Sequence, residues 1–87
     1  MPRISAFHGI VIYMYWSEAA HEVVHFHAFY GEQGASVALD GSILAGHLQP
    51  RAHSLVMEWA ALHGGELQAN WERARRMEPL VAIAPLP

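Results

Sequence analysis

The chain contains no cysteine. That excludes disulfides and every thiolate metal site, and it removes the usual pointer to a redox compartment. Lysine is absent too, so the basic side chains are Arg3, Arg51, Arg73, Arg75 and Arg76, and the net charge is −3. Electrostatic attraction to phosphate backbones is therefore not favoured, which counts against a nucleic-acid partner. Charged residues make up 15% of the chain, against roughly 25% in an average domain. Long hydrophobic runs are missing as well. The stretch from Gly9 to Trp16 falls far short of the roughly 20 apolar residues that span a bilayer, so no membrane is expected. Its length would suit a signal sequence, but a single preceding arginine and three aromatics in the run argue for a cytoplasmic protein instead. No internal repeat, linker or low-complexity segment interrupts the 87 residues.

What is present is apolar matter, 53% of the chain. This composition predicts one folded domain over residues 1–87, greasy enough to hide part of its surface in a partner. Residues 1–8 read as a mixed lead-in. Ile10-Val11-Ile12-Tyr13-Met14-Tyr15-Trp16 is rich in β-branched and aromatic residues and too short for a typical helix, so a strand is expected over about 10–16. Further strands follow over about 23–30, 35–39 and 42–48, with breaks at Gly31 and Gly34. Asp40-Gly41 between two alternating runs predicts a tight hairpin of type I′. Glu18 to Glu22 has the composition of a helical turn within a connection.

Pro50 marks a change of period. Ala52, Leu55, Val56, Trp59, Ala60 and His63 recur at helical spacing, which predicts a helix over about 50–63 with Pro50 in its first turn. Gly64-Gly65 is expected to end it, one glycine taking the left-handed cap conformation. A second helix over about 66–77 would bury Leu67, Trp71 and Ala74, with Glu66 at its start and Arg73, Arg75 and Arg76 at its end complementing its dipole. Asn70 is expected to cap or bridge the helix pair. Pro79 stops the helix, and residues 80–83 fit either a short strand or a packed tail. The fold class is thus α+β: a mostly antiparallel four-stranded meander followed by a C-terminal helical hairpin packed on one face.

The chemistry centres on Val24 to Glu32. His25 and His27 stand at i and i+2, so on a strand they share one face, with Phe29 next in line. Same-face imidazoles suit a divalent metal, although zinc asks for three or four ligands and the remainder would have to come from His21, Glu22, His8 or a partner. The same pair suits general acid–base work, because imidazole titrates near neutrality. In that reading Tyr13 or Tyr15 lies alongside and Arg3 or Arg51 holds a phosphate. The bland alternative is a half-exposed sheet face on which both rings hydrogen-bond to tyrosines or a partner. Val11, Tyr13, Tyr15, His25, His27 and Phe29 together make an aromatic, uncharged patch of the kind that marks a protein interface, unless a chain terminus folds over it. The cluster Arg73, Arg75 and Arg76 is read as dipole complement, and Trp59 and Trp71 as packing.

Several segments carry a family resemblance. Gly9-Ile10-Val11-Ile12, Met14-Tyr15, His25-Phe26-His27-Ala28 and Tyr30-Gly31-Glu32 match, followed by Asp40-Gly41, Pro50-Arg51-Ala52, Glu58-Trp59-Ala60, Leu62-His63, Asn70-Trp71-Glu72 and Glu78-Pro79-Leu80. Together they resemble domain of unknown function 4160, a family of small bacterial proteins with no established activity. Members are often encoded beside a second small protein, in pairs suspected of being toxin–antitoxin-like modules. The resemblance therefore implies a second small protein, or self-association, as the partner. Relatives carry an acidic residue, a histidine and two prolines before the paired histidines. Here that region reads Ala20-His21-Glu22-Val23-Val24, and the prolines are gone. The rival expectation is a histidine-based ribonuclease or metal-dependent hydrolase centred on His25 and His27.

Overall fold

The computed structural model describes residues 2–16 and 23–87. The turn expected over residues 18–22, and with it His21 and Glu22, lies outside the described residues. Five strands form one antiparallel sheet in sequential order: β1 (Arg3–Phe7), β2 (Ile10–Tyr13), β3 (His25–Tyr30), β4 (Gln33–Ala38) and β5 (Ile43–Gly46). Two helices follow, α1 (Pro50–Leu62) and α2 (Gly64–Arg75). The class is α+β as expected, with one strand more than the four read from the sequence.

The additional strand is β1, and two local features hide it. Its register with β2 jumps between Arg3 and Ser5, so Ile4 and Ser5 are both buried and the period-2 pattern is lost. Its hairpin turns on His8-Gly9, where His8 itself has φ of 50°. A two-residue turn with both central φ positive normally advertises itself as Asn-Gly or Asp-Gly, and histidine carries no such flag.

Asp40-Gly41 does make a hairpin, but not of type I′. Gly41 has φ of 90° while Asp40 is not in the left-handed region. Gly41 N donates to Ala38 O at 2.9 Å and Ala38 N to Ser42 O at 2.9 Å. This is a three-residue loop whose last residue takes the left-handed conformation. Asp40 Oδ1 reinforces it by accepting from Ser42 N at 2.9 Å and Ser42 Oγ at 2.6 Å.

One face of the sheet is the core. Ile10, Ile12, Phe26, Ala28, Ala35 and Val37 project there and are buried against Ala52, Val56, Trp59, Leu67 and Ala74 of the helices. Trp59 is fully buried, its ring 5.3 Å from Phe7 and 5.6 Å from Phe26. The junction between helices departs from expectation. Neither Gly64 nor Gly65 is left-handed, and both belong to the first turn of α2. His63 serves both helices instead: its backbone N–H closes α1, and its ring donates to Glu66 in the first turn of α2 at 2.6 Å. The chain restarts so soon that no left-handed cap is needed.

Beyond α2 the chain has no regular structure and packs as a tail, burying Ile83 and Leu86. Trp16 Nε1 donates to Glu78 O at 2.8 Å, Trp59 Nε1 to Ala84 O at 2.9 Å, and Ile83 N to Ile4 O at 2.8 Å. Asn70, fully buried, does not bridge the helices. Its amide pairs with the tail as a backbone unit would, Nδ2 donating to Val81 O at 2.8 Å and Oδ1 accepting from Val81 N at 2.9 Å. Arg73 donates to the same Oδ1 at 3.0 Å.

Candidate functional site

The face opposite the helices is built by the alternation of five strands. Register sets Arg3, Tyr13, His27, Ser36 and Ala45 in one row across the whole sheet. A parallel row holds Ala6, Val11, Phe29 and Gly34. His25 lies opposite Ala38 at the start of β3. Among the described residues, Arg3 is the one charged residue that register puts on this face. The tail runs along β1 and the helices, so the described C-terminal segment does not fold over it.

Rings link across the face. Phe29 meets Tyr13 edge-on at 5.6 Å, and Tyr13 and Tyr15 lie nearly parallel at 6.4 Å. Tyr15 meets His27 edge-on at 4.6 Å, and His27 meets His25 at 5.1 Å. His25 then touches Trp71 of α2 at 5.4 Å. Such edge-to-face arrangements satisfy the ring quadrupoles and hold one another in place. The five residues Tyr13, Tyr15, His25, His27 and Phe29 named from the sequence are therefore contiguous, with Trp71 joined at the seam between sheet and helices. Arg51 is not among them. It is exposed in the first turn of α1, in the layer on the opposite side of the sheet. Arg3 is the cation brought to the face.

His25 is buried, and its Nδ1–H donates to the Val23 carbonyl at 2.6 Å. In the neutral ring that bond leaves the lone pair on Nε2. His27 is half-buried, with Nδ1 at 3.5 Å from Ser36 Oγ, too long to fix its tautomer. His8 belongs to the β1–β2 turn, where its Nε2–H donates to Pro87 O at 2.9 Å, at the other end of the sheet from His25. It cannot supply a third ligand. Among the described residues no group of three or more histidine or acidic side chains gathers around a common point.

Phe29 is a ridge on this face. Its ring lies over Gly34 on the neighbouring strand, where a Cβ would sit 2.7 Å from the ring edge. An open depression of about 310 Å³ borders it on the side of His27, Ser36 and Ala45, and another of about 350 Å³ on the side of Val11, Tyr13 and Gly31. Sequence reading found the aromatics but not Ser36, Ala45 or the role of Gly34, because cross-strand neighbours follow from register, not from spacing along the chain.

The helix-borne arginines are engaged. Arg75 pairs with Glu72 at 2.9 Å and Arg76 with Glu78 at 3.1 Å, and Glu78 raises the Arg76 guanidinium further above its ordinary value by hydrogen bonding. No helix among the described residues is long and apolar enough to cross a membrane. The chain matches no curated protein and no solved structure. A family match does exist, over residues 9–72, from the β1–β2 turn through most of α2, leaving β1 and the tail outside. With well over half its length matched, the chain belongs to the family described as Domain of unknown function (DUF4160).

Proposed function

We propose that the protein works through a partner protein that covers the open sheet face, as one half of a two-gene, toxin–antitoxin-like module in the bacterial cytoplasm. The observation that carries this reading is the face itself: Val11, Tyr13, Tyr15, His27 and Phe29 form an aromatic surface on which Arg3 is the sole charge among the described strand residues, with a depression on each side of Phe29. Contiguous surfaces of this kind, poor in charge and rich in aromatics, are the ones proteins bury against each other. The two-gene module rests on the family resemblance. The test is co-expression with the product of the adjacent gene. Wild type is expected to co-purify with it. Phe29→Asp, which puts a carboxylate on the ridge, is expected to remain folded and lose the neighbour. A strict monomer that retains no neighbour, or a folded Phe29→Asp chain that still retains it, overturns the reading.

A second reading, an acid–base ribonuclease or hydrolase, draws on His25 and His27 and on the row that joins Arg3, Tyr13 and His27. It predicts that induction of the wild type arrests growth of a bacterial host and that His25→Ala/His27→Ala does not. Equal growth of the two strains, both making soluble folded chain, removes it.

A further inference from the structure

The tail repeats in a way that neither helix nor strand does. Leu80 packs against the core and Ile83 and Leu86 are buried, while residues 79, 81, 82, 84, 85 and 87 beside them are exposed. One residue in three turned inward is the repeat of polyproline II, which has three residues per turn and no internal hydrogen bonds. Composition enforces it. Pro79, Pro85 and Pro87 fix their own φ and drive Glu78, Ala84 and Leu86 toward extended backbone. Such a segment is stiff before it docks, so little conformational freedom is lost when it does.

The groove that receives the tail is equipped for such a ligand. Trp16 Nε1 donates to Glu78 O, the Asn70 amide pairs with Val81 N and O, Trp59 Nε1 donates to Ala84 O, and Ile83 N reaches Ile4 O on β1. Aromatic-lined grooves are how proteins take proline-rich segments in this conformation. Each contact engages the tail's backbone or an apolar side chain, so the same segment arriving from another copy would be held identically.

A single residue joins the tail to the body. Helix α2 ends at its C-cap Arg76, and Glu78 O is already held by Trp16, which leaves Met77 between them. Met77 has φ of 56°, a left-handed conformation that a Cβ disfavours, and its side chain is exposed, so packing does little to offset the strain. Extending this hinge relieves that strain.

We infer that residues 79–87 are an exchangeable ligand, and that the groove between β1 and the helices binds this proline-rich segment from a second copy of the chain. Reciprocal exchange closes a two-fold dimer, each tail leaving its own body through an extended Met77 and seating Leu80, Ile83 and Leu86 in the other copy. The tail contacts are those of the single chain, so concentration and hinge strain set the balance. A tethered segment has an effective concentration on the order of 1 mM, and occupancy by the second copy grows as the chain approaches it. The exchange goes beyond the partner reading, because it uses the β1 margin and the helices and leaves the open sheet face uncovered.

The experiment is light scattering of the whole chain at concentrations up to about 1 mM, with one spin label and two hinge variants. The chain has no cysteine, so Val81→Cys, at an exposed position of the tail, takes a single nitroxide. That chain is mixed with 15N-labelled wild type. The expected result is a dimer that grows with concentration, with nitroxide broadening in the 15N chain strongest at Ile4 and Asn70 and weaker at Tyr13, His27 and Phe29. Met77→Gly, which adopts the left-handed φ without strain, should weaken dimerisation at least about tenfold, since two hinges open per dimer. Met77→Pro, whose ring fixes φ at about −65°, should dimerise at concentrations at least about tenfold lower than wild type. Wild type that stays monomeric to about 1 mM, a dimer indifferent to Met77→Gly, a folded Met77→Pro chain that stays monomeric, or broadening strongest on the open face overturns the inference. The wild-type data decide the matter even if Met77→Pro fails to fold. Phe29→Asp should leave the exchange intact while it abolishes retention of the neighbour, so the two readings fall separately.

Discussion

Replacing Asn70 by alanine tests how the tail is held. The side chain is fully buried and makes three hydrogen bonds: Nδ2 to Val81 O at 2.8 Å, Val81 N to Oδ1 at 2.9 Å, and Arg73 to Oδ1 at 3.0 Å. Each contributes about 0.5–1.5 kcal/mol net. Val81 is half-exposed at 52%, so water can recover part of the loss at its backbone groups. The expected cost of Asn70→Ala is then about 2–4 kcal/mol from these bonds. For a chain of this size that lowers Tm by roughly 10–25 °C. Urea unfolding followed by circular dichroism, with m unchanged, is the measurement. Two companions locate the effect. Asn70→Asp keeps the shape and the acceptor for Arg73 but sets an oxygen against the Val81 carbonyl, and it should lose at least as much as alanine at neutral pH. Ile83→Ala removes a buried tail residue and should be non-additive with Asn70→Ala, because both loosen the same segment. A loss below about 0.5 kcal/mol would mean that these bonds merely replace water and hold nothing. Strict additivity would mean that Asn70 supports α2 and not the tail.

Other substitutions probe other parts of the structure. Ser5 Oγ is buried with no hydrogen-bond partner among the described residues, so Ser5→Ala should be neutral or stabilise by up to about 1–2 kcal/mol in urea unfolding. Gly46 has φ of 88°, and a Cβ there would lie 2.3 Å from Gly34 O; Gly46→Ala should cost at least about 2 kcal/mol and disturb β5 amide shifts first. Gly34→Ala keeps an ordinary backbone but drives its methyl into the Phe29 ring, so the chain should remain folded while Phe29 leaves its position, weakening partner retention without altering Phe29 itself. The Asp40 carboxyl is held below its ordinary value of 3.8 by the hydrogen bonds from Ser42. A group so lowered contributes stability above its unfolded value, and that contribution is lost as pH falls through the folded one. Carboxyl NMR should therefore give Asp40 a midpoint below 3.8, and Ser42→Ala should move it upward.

The helices were legible because their signal is local and redundant. Ala52, Val56, Trp59, Ala60, Leu67, Trp71 and Ala74 were assigned to the core by spacing alone, and all are buried. The histidine pair and its aromatic neighbours were legible for the same reason, since period 2 settles which residues share a face. What escaped depended on partners distant in sequence. Arg3 joins the face only because β1 exists, and β1 was masked by a bulge and by a histidine in a left-handed turn. Arg51 was grouped with the site by charge, yet helical layering sends it to the other side of the sheet. Asn70 looked like a helix-pair residue because nothing in its own helix reveals that a tail eleven residues on will lie against it. The Gly64-Gly65 stop failed for a subtler reason: a glycine pair permits a left-handed cap but does not compel one.

The tail also changes what the sheet's two margins can do. Ile83 donates to Ile4 on β1, and the segment from Ile83 to Pro87 runs alongside that strand in parallel, reaching His8 at its far end. The β1 margin is thereby partly occupied. The β5 margin has no such cover among the described residues, and its defence is brevity: four residues, a register shift and a left-handed Gly46 at the end. Strand-by-strand growth of this sheet into an assembly, whether adaptive or pathological, is therefore polar. It would begin at β5, and a change that straightened Gly46 or lengthened that strand would expose the molecule to self-templating from that side alone.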